Sequence, residues 1–228
     1  MKTVHTATIG ECWRESMRAI LNHGSDFFDE DVVIRELMGL DVRIDNPRLT
    51  DPIVERFGDP EVVTHTLKKF EKGTVMSNRP FTYADCIYNK NGVDQFEWMI
   101  DRLTKKPETK SATICLLTEG NKHANLPCLT ALDAKIRDNK VNVQFFFRSQ
   151  NIVGRQYANL LAIAKLQFDL AARLGLDVGF LGGYIASAHI YDYDLPFARS
   201  ILDNEDIRIR DLFYEAGPKS IRTNTLFG

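Results

Sequence analysis

The sequence predicts an α+β fold in which one central helix lies against a β-sheet. Three observations carry that expectation. Residues 156–174 are apolar on most sides, through Tyr157, Leu160, Leu161, Ile163, Ala164, Leu166, Phe168, Leu170, Ala171 and Leu174. A helix hydrophobic nearly all round belongs at the centre of a domain. Ahead of it, Cys128–Arg137 and Val141–Arg148 read as strands joined by the turn Asp138-Asn139-Lys140. The composition is that of a globular chain, with 44% hydrophobic and 26% charged residues among 228, and a chain of this size builds a core without disulfide or metal staples.

The remaining elements follow in order. Trp13, Met17, Ile20 and Leu21 recur at helical spacing and place a first helix near Ile9–Asn22, stopped by Gly24. Leu37–Ile44 reads as a strand ended by Asp45-Asn46-Pro47. Asp59-Pro60 caps a helix with the apolar stripe Val63, Leu67 and Phe70, ended by Gly73. Val93, Phe96, Ile100 and Leu103 mark another helix, and Ala112–Leu117 a strand. In the strand after Pro127, the period of two puts Cys128, Thr130, Leu132, Ala134 and Ile136 on one face. Gly175 ends the central helix, and Val178–Tyr191 is a long strand with Gly182-Gly183 as a bulge or a close backbone approach. Asp194-Leu195-Pro196 opens a last helix. No internal repeat, low-complexity tract or linker divides the chain, so residues 1–228 are expected to form a single domain.

Charge and cysteine usage exclude several classes. The 29 Lys and Arg against 31 Asp and Glu give a net charge of −2, which argues against nucleic acid as a partner. No run of about 18 apolar residues exists, so no membrane span is expected, and the first residues lack the apolar stretch of a signal peptide. Cys12, Cys86, Cys115 and Cys128 show neither a C-x-x-C pair nor zinc-ligand spacing. A cytoplasmic protein with reduced thiols and no metal is the expectation.

Four segments stand out as candidate chemistry: Leu126-Pro127-Cys128, Arg148-Ser149-Gln150-Asn151, the turn from Gly154 to Asn159, and Ala188-His189-Ile190-Tyr191. Cys128 precedes Arg148 by 20 residues, Asn159 follows Arg148 by eleven, and His189 follows Asn159 by 30. In this order and spacing the chain resembles the thymidylate synthase superfamily, and in pattern its short archaeal members. Val93-Asp94-Gln95 and Lys106-Pro107-Glu108-Thr109 add to the likeness, which is good over residues 91–195 and weaker before them.

The resemblance implies a thymidylate synthase-like fold, with a mixed β-sheet packed on the central helix and one sheet face forming a homodimer interface. It implies methylation or hydroxymethylation at C5 of a pyrimidine nucleoside 5′-monophosphate, with 5,10-methylene-tetrahydrofolate as the one-carbon donor. The residues suit that chemistry. C5 of uracil is a weak nucleophile until a thiolate adds at C6, and Cys128 is the cysteine in the right context. Arg148 offers a fork for the phosphate and a cation for the thiolate, and Ser149 a further hydroxyl. Asn159 offers one donor and one acceptor, which match O4 and N3–H of uracil. Cytosine-specific relatives carry Asp here, so Asn159 argues for uracil, since a mispaired buried amide costs about 1–3 kcal/mol. By resemblance, His189 and Tyr191 bind the sugar 3′-hydroxyl. Tyr83, in Phe81-Thr82-Tyr83-Ala84, helps remove the C5 proton, and Lys110 reaches the partner subunit's phosphate.

The chain also departs from the family pattern. Leu129 replaces the usual His after the nucleophile. Asn151 stands where an Asp contacts the folate pterin. Lys110-Ser111 replaces a pair of arginines. Thr66, in His65-Thr66-Leu67, stands where the family has the Glu that manages proton transfer, unless Glu61 or Glu71 serves. Arg35 and Arg48 are candidates for an early phosphate-binding Arg, and residues 223–228 do not match the family's closing segment. Methyl versus hydroxymethyl product and UMP versus dUMP stay open. So do folate-independent chemistry on the same adduct and a lapsed nucleotide- or RNA-binding relative.

Overall fold

Seven strands make one mixed sheet in the computed structural model, which describes residues 1–74, 82–117 and 126–203. They are β1 (Lys2–Thr6), β2 (Ser25–Asp29), β3 (Val32–Ile44), β4 (Thr113–Cys115), β5 (Leu129–Arg137), β6 (Lys140–Asn151) and β7 (Asp177–Tyr191). Their order is β1-β3-β7-β6-β5-β4, with β2 folded back on β3. β1 with β3 and β6 with β7 are parallel, and the other pairs are antiparallel. The helices are α1 (Ile9–His23), α2 (Pro52–Phe57), α3 (Pro60–Phe70), α4 (Tyr83–Tyr88), α5 (Gln95–Lys105), α6 (Tyr157–Leu174) and α7 (Leu195–Leu202). Phe81 and residues 223–228 lie outside the described residues.

α6 is the buried centre that its composition predicts. Tyr157, Leu160, Ile163, Ala164 and Leu170 are sealed in the core, while Lys165 and Asp169 face solvent as an i,i+4 ion pair at 3.2 Å. Gly175 caps it in the left-handed region at φ 66°, which costs glycine nothing. Asp138 and Asn139, both at positive φ, turn β5 into β6 as a two-residue hairpin.

One strand expectation is corrected, and one is decided between its two alternatives. A bulge lies between Leu129 and Ala131, so Leu129 pairs Phe147 and Leu132 pairs Phe145. Phe145 and Phe147 are both core residues, so Leu129, not Cys128, keeps phase with Leu132. Strict alternation fails because a bulge inserts one residue. In β7 the irregularity falls between Val178 and Leu181 rather than at Gly182-Gly183. Gly183 serves close approach instead: a Cβ there would lie 2.1 Å from the Phe145 carbonyl oxygen.

Short elements went unforeseen. β1 is mostly polar and exists through its parallel pairing with β3. α2 rests on Asp51, whose buried carboxylate accepts from Ile53 and Val54 and, at 2.8 Å, from Gly10 at the start of α1. α3 stops at Phe70 with Glu71 as its cap, ahead of Gly73.

Candidate active site

A set of buried aromatic contacts fixes the walls of the site. The Trp13 indole N–H donates to the Ile152 carbonyl at 2.8 Å, and its ring lies 4.5 Å from that of Tyr157. The Tyr157 hydroxyl accepts from the Asp59 amide at 3.1 Å, and Asp59 caps α3 through Glu61 and Val62. α1, the π-helical turn Ile152–Gln156, α6 and α3 are thereby locked together. The buried side chains of α3 are Thr66, Lys69 and Phe70, which share one face at i, i+3 and i+4. Val63 and Leu67 are only half-buried. The helix is thus turned from the stripe its apolar residues predict, and its inward face is partly polar.

That face leads to Cys128. The Phe70 ring packs on Tyr83 with centroids 4.7 Å apart, and the Tyr83 hydroxyl accepts from the Leu129 amide at 3.3 Å. Leu129 follows Cys128, which is 2% exposed. The Arg148 amide donates to the Cys128 carbonyl at 2.9 Å. The Arg148 guanidinium donates to Pro127 at 3.1 Å and Leu126 at 2.6 Å. Burial pushes the Cys128 thiol up, and the positive charges of Arg148 and Lys69 oppose it. Burial, with the charge of a Cys128 thiolate adding to it, raises Tyr83 well above an ordinary phenol, so its hydroxyl stays protonated at neutral pH.

The second half of the site comes from β6 and β7. Ser149 lies beside Ser187, and Asn151 beside His189. The His189 and Tyr191 rings meet edge-on at 5.2 Å. Burial lowers the His189 pKa, so the imidazole is neutral at pH 7, and its buried Nδ1 has no hydrogen bond. Burial raises Tyr191, with the charges of Asp29 and Cys128 adding to it. Asn159 sits in the first turn of α6 at 6% exposure, and its carboxamide has no hydrogen-bond partner among the described residues.

Asn151 has a structural task. Its side-chain oxygen accepts from the Gly154 amide at 2.9 Å and caps the π-helical turn. Its neighbour Asp194 is 5% exposed, and burial pushes that carboxyl up to about 7, against the pull of Arg155 and the Asn151 amide.

Other candidates sort by position. Thr66 is buried, and its hydroxyl has no hydrogen-bond partner. Glu61 and Glu71 are both exposed, at the first turn and the cap of α3. Neither carboxylate takes the place open at Thr66, because the helix turns both toward water. Arg35 pairs Asp26 at 3.2 Å and sits in register with Ile190, between His189 and Tyr191. Arg48 is exposed in the loop after β3. Lys110 is exposed between α5 and β4, toward the end of the β4–β5 ladder remote from Cys128. Beside it the Arg102 guanidinium donates to the Ser111 hydroxyl at 2.9 and 3.2 Å. A second cation therefore stands next to Lys110, although the dipeptide Lys110-Ser111 carries one.

Sequence reasoning missed Lys69, Arg102 and Asp194. The signal for Lys69 was its place one turn after Thr66. Among the described residues no helix is long and apolar enough to cross a membrane, and no three His, Cys, Asp or Glu side chains gather as metal ligands.

Comparisons with known proteins agree with this geometry. The sequence profile of the thymidylate synthase family matches residues 27–224. A protein named "Putative thymidylate synthase" from Methanosarcina acetivorans is 32% identical over 206 residues, spanning 88% of this chain and 94% of its own length. One of the same name from Methanococcoides burtonii is 33% identical over 197 residues, spanning 85% and 91%. Another from Methanothermobacter marburgensis is 27% identical over 222 residues, spanning 86% and 96%. With most of its length matched, the chain belongs to the thymidylate synthase family and is a thymidylate synthase-like transferase.

Proposed function

We propose that the chain transfers a one-carbon unit to C5 of uracil in a nucleoside 5′-monophosphate, dUMP or UMP, through a bond between Cys128 and C6. One observation carries the reading: a buried thiol whose ionisation two cations, Arg148 and Lys69, favour, beside a hydroxyl anchored on the next residue's amide. The thiolate attacks C6, the S–C6 bond forms, and the C5=C6 electron pair moves toward O4. C5 is then nucleophilic. After C5 has taken its new substituent and lost its proton, the electrons return and expel the thiolate.

Each residue has a part. Arg148 holds the phosphate and the thiolate, with Ser149 beside it. Asn159 presents its open carboxamide to O4 and N3–H. Neutral His189 and protonated Tyr191 suit a sugar hydroxyl. Tyr83, protonated, orients a water that takes the C5 proton and passes it to solvent.

The donor set fits a pterin in part. A pterin offers N–H groups along one edge, and the Asp194 carboxyl and Asn151 carboxamide form an acceptor-bearing pair at the turn after β6. 5,10-Methylene-tetrahydrofolate supplies the one-carbon unit and, for a methyl product, a hydride. Asn151 and Asp194 would hold it. A homodimer completes the proposal. Phe146 stacks on Tyr184 at 5.6 Å and is 41% exposed on the sheet face opposite the core, and Lys110 with Arg102 would serve the partner's phosphate.

The test is mass spectrometry of products from UMP, dUMP, CMP and dCMP with methylene-tetrahydrofolate. A 5-methyl or 5-hydroxymethyl uracil nucleotide is expected, and no modified uracil overturns the reading. The Asn151 cap, which uses the carboxamide oxygen, favours one second reading: C5 chemistry on the same adduct without folate. Equal tritium release from C5 of dUMP with and without folate would decide for it.

A further inference from the structure

We propose that Glu36 reads the sugar of the nucleotide: beside His189 and Tyr191 its carboxylate accepts from a ribose 2′-hydroxyl, so that UMP is preferred to dUMP. The inference rests on the nucleotide reading above and names the sugar of that substrate.

Three neighbouring strands bring Glu36 to the site. Glu36 of β3 pairs with His189 of β7, which pairs with Asn151 of β6. One row along the same face, Ser187 pairs with Ser149. Residues paired in register point to one side of a sheet, and the Cβ atoms of a direct antiparallel pair lie about 5 Å apart. The Glu36 side chain therefore stands on the face that carries His189, Asn151 and Ser149. The Ser187 hydroxyl donates to Glu36 Oε1, which draws the carboxylate along β7 from His189 toward the row of Ser149.

Two groups at this place are open. Glu36 is half-buried, and its Oε2 accepts no hydrogen bond from the described residues. His189 is 6% exposed, and its Nδ1 has no hydrogen bond either. Burial keeps His189 neutral at pH 7, so Glu36 gains no ion pair from it. An open carboxylate facing a neutral imidazole suits a ligand that brings donors and no positive charge. A ribose does so. Its 2′- and 3′-hydroxyls are neighbours on one face of the ring, and an acidic side chain on the 2′-hydroxyl is a recurrent way to hold one. With the 3′-hydroxyl at His189 and Tyr191 and the phosphate at Ser149, the 2′-hydroxyl is the sugar donor left for Glu36. A 2′-deoxy sugar would instead cover the carboxylate without giving it a donor, near a phosphate of like charge. A site built around a hydroxyl rejects the analogue that lacks it for this reason.

The experiment is calorimetric titration of the full chain, without folate, with UMP, dUMP and 2′-deoxy-2′-fluoro-UMP, whose fluorine cannot donate. UMP is expected to bind about tenfold or more tightly than dUMP, and the fluoro analogue to rank with dUMP. Glu36→Ala is expected to bring the UMP to dUMP ratio close to one, and Glu36→Gln, which keeps an acceptor without its charge, to fall between. An unmodified protein that binds dUMP as tightly as UMP overturns the proposal. So does a preference for UMP that survives in Glu36→Ala. If Glu36→Ala does not fold, the unmodified protein still decides: a fluoro analogue that binds as tightly as UMP overturns the proposal. Binding of none of the three nucleotides removes the nucleotide reading and this inference together. The expected ratios without a C5-modified product remove the chemistry and leave Glu36 in place.

Discussion

The hydroxyl of Tyr83 accepts a hydrogen bond from the amide of Leu129 at 3.3 Å, which ties α4 to the residue that follows Cys128. Both residues are buried. The bond therefore has a structural and a chemical consequence. Tyr83→Phe removes the acceptor and leaves a buried amide without it, a loss of about 1–3 kcal/mol to be read by urea unfolding. Tritium release from C5 should fall with it. Unchanged release would remove Tyr83 from the proton path.

Cys128→Ser should abolish turnover while nucleotide still binds, because the other proposed contacts are intact. Intact-protein mass spectrometry of quenched reactions should show a nucleotide adduct on the unmodified protein and none on the variant. Turnover by the serine protein would exclude the covalent route.

Asn159→Asp should move the preference from uracil toward cytosine by about tenfold or more, since a carboxylate accepts from the exocyclic amine and faces O4 unfavourably. Competition between dUMP and dCMP in one reaction measures the ratio. A ratio that stays put would take Asn159 out of base recognition.

Asp194 makes stability fall with rising pH. Its folded pKa, about 7, lies above the ordinary carboxyl value. Between the two the folded chain binds the extra proton, so the stabilisation present at acid pH is lost as pH rises to about 7. Asp194→Asn should match the unmodified protein near pH 4 and exceed it above pH 7, by up to a few kcal/mol in urea unfolding. Equal stability at pH 8 would contradict this.

If Lys110 serves the partner's site, Lys110→Ala and Cys128→Ser chains should rescue each other on mixing. Random exchange makes half the dimers mixed, each with one intact site, so activity should approach about a quarter of the unmodified protein's. No recovery after refolding the two chains together would argue against a shared site.

Much of the fold was legible because it rests on local pattern. α6 announced itself by an apolar surface on nearly every side. The β5–β6 hairpin did so by Asp138-Asn139, whose side chains tolerate positive φ. β1 and β2 were not legible, since a polar five-residue strand is ordered by its neighbour and not by its own composition. Cys128, Arg148 and His189 stood out by spacing, and the structure gathers them because β5, β6 and β7 are adjacent. Lys110 was legible as a cation, but its companion Arg102 comes from α5 and meets Ser111 only after folding.

The order of chemically able residues, the central helix and the family were all present in the amino-acid sequence itself, because spacing and periodicity are properties of the chain alone. The bulge that takes Cys128 out of phase, the rotation of α3 that buries Lys69, and the carboxyl of Asp194 held near 7 came from the tertiary structure. Burial and electric field are set by atoms far apart along the chain, and these become neighbours only when the sheet and its helices close around them.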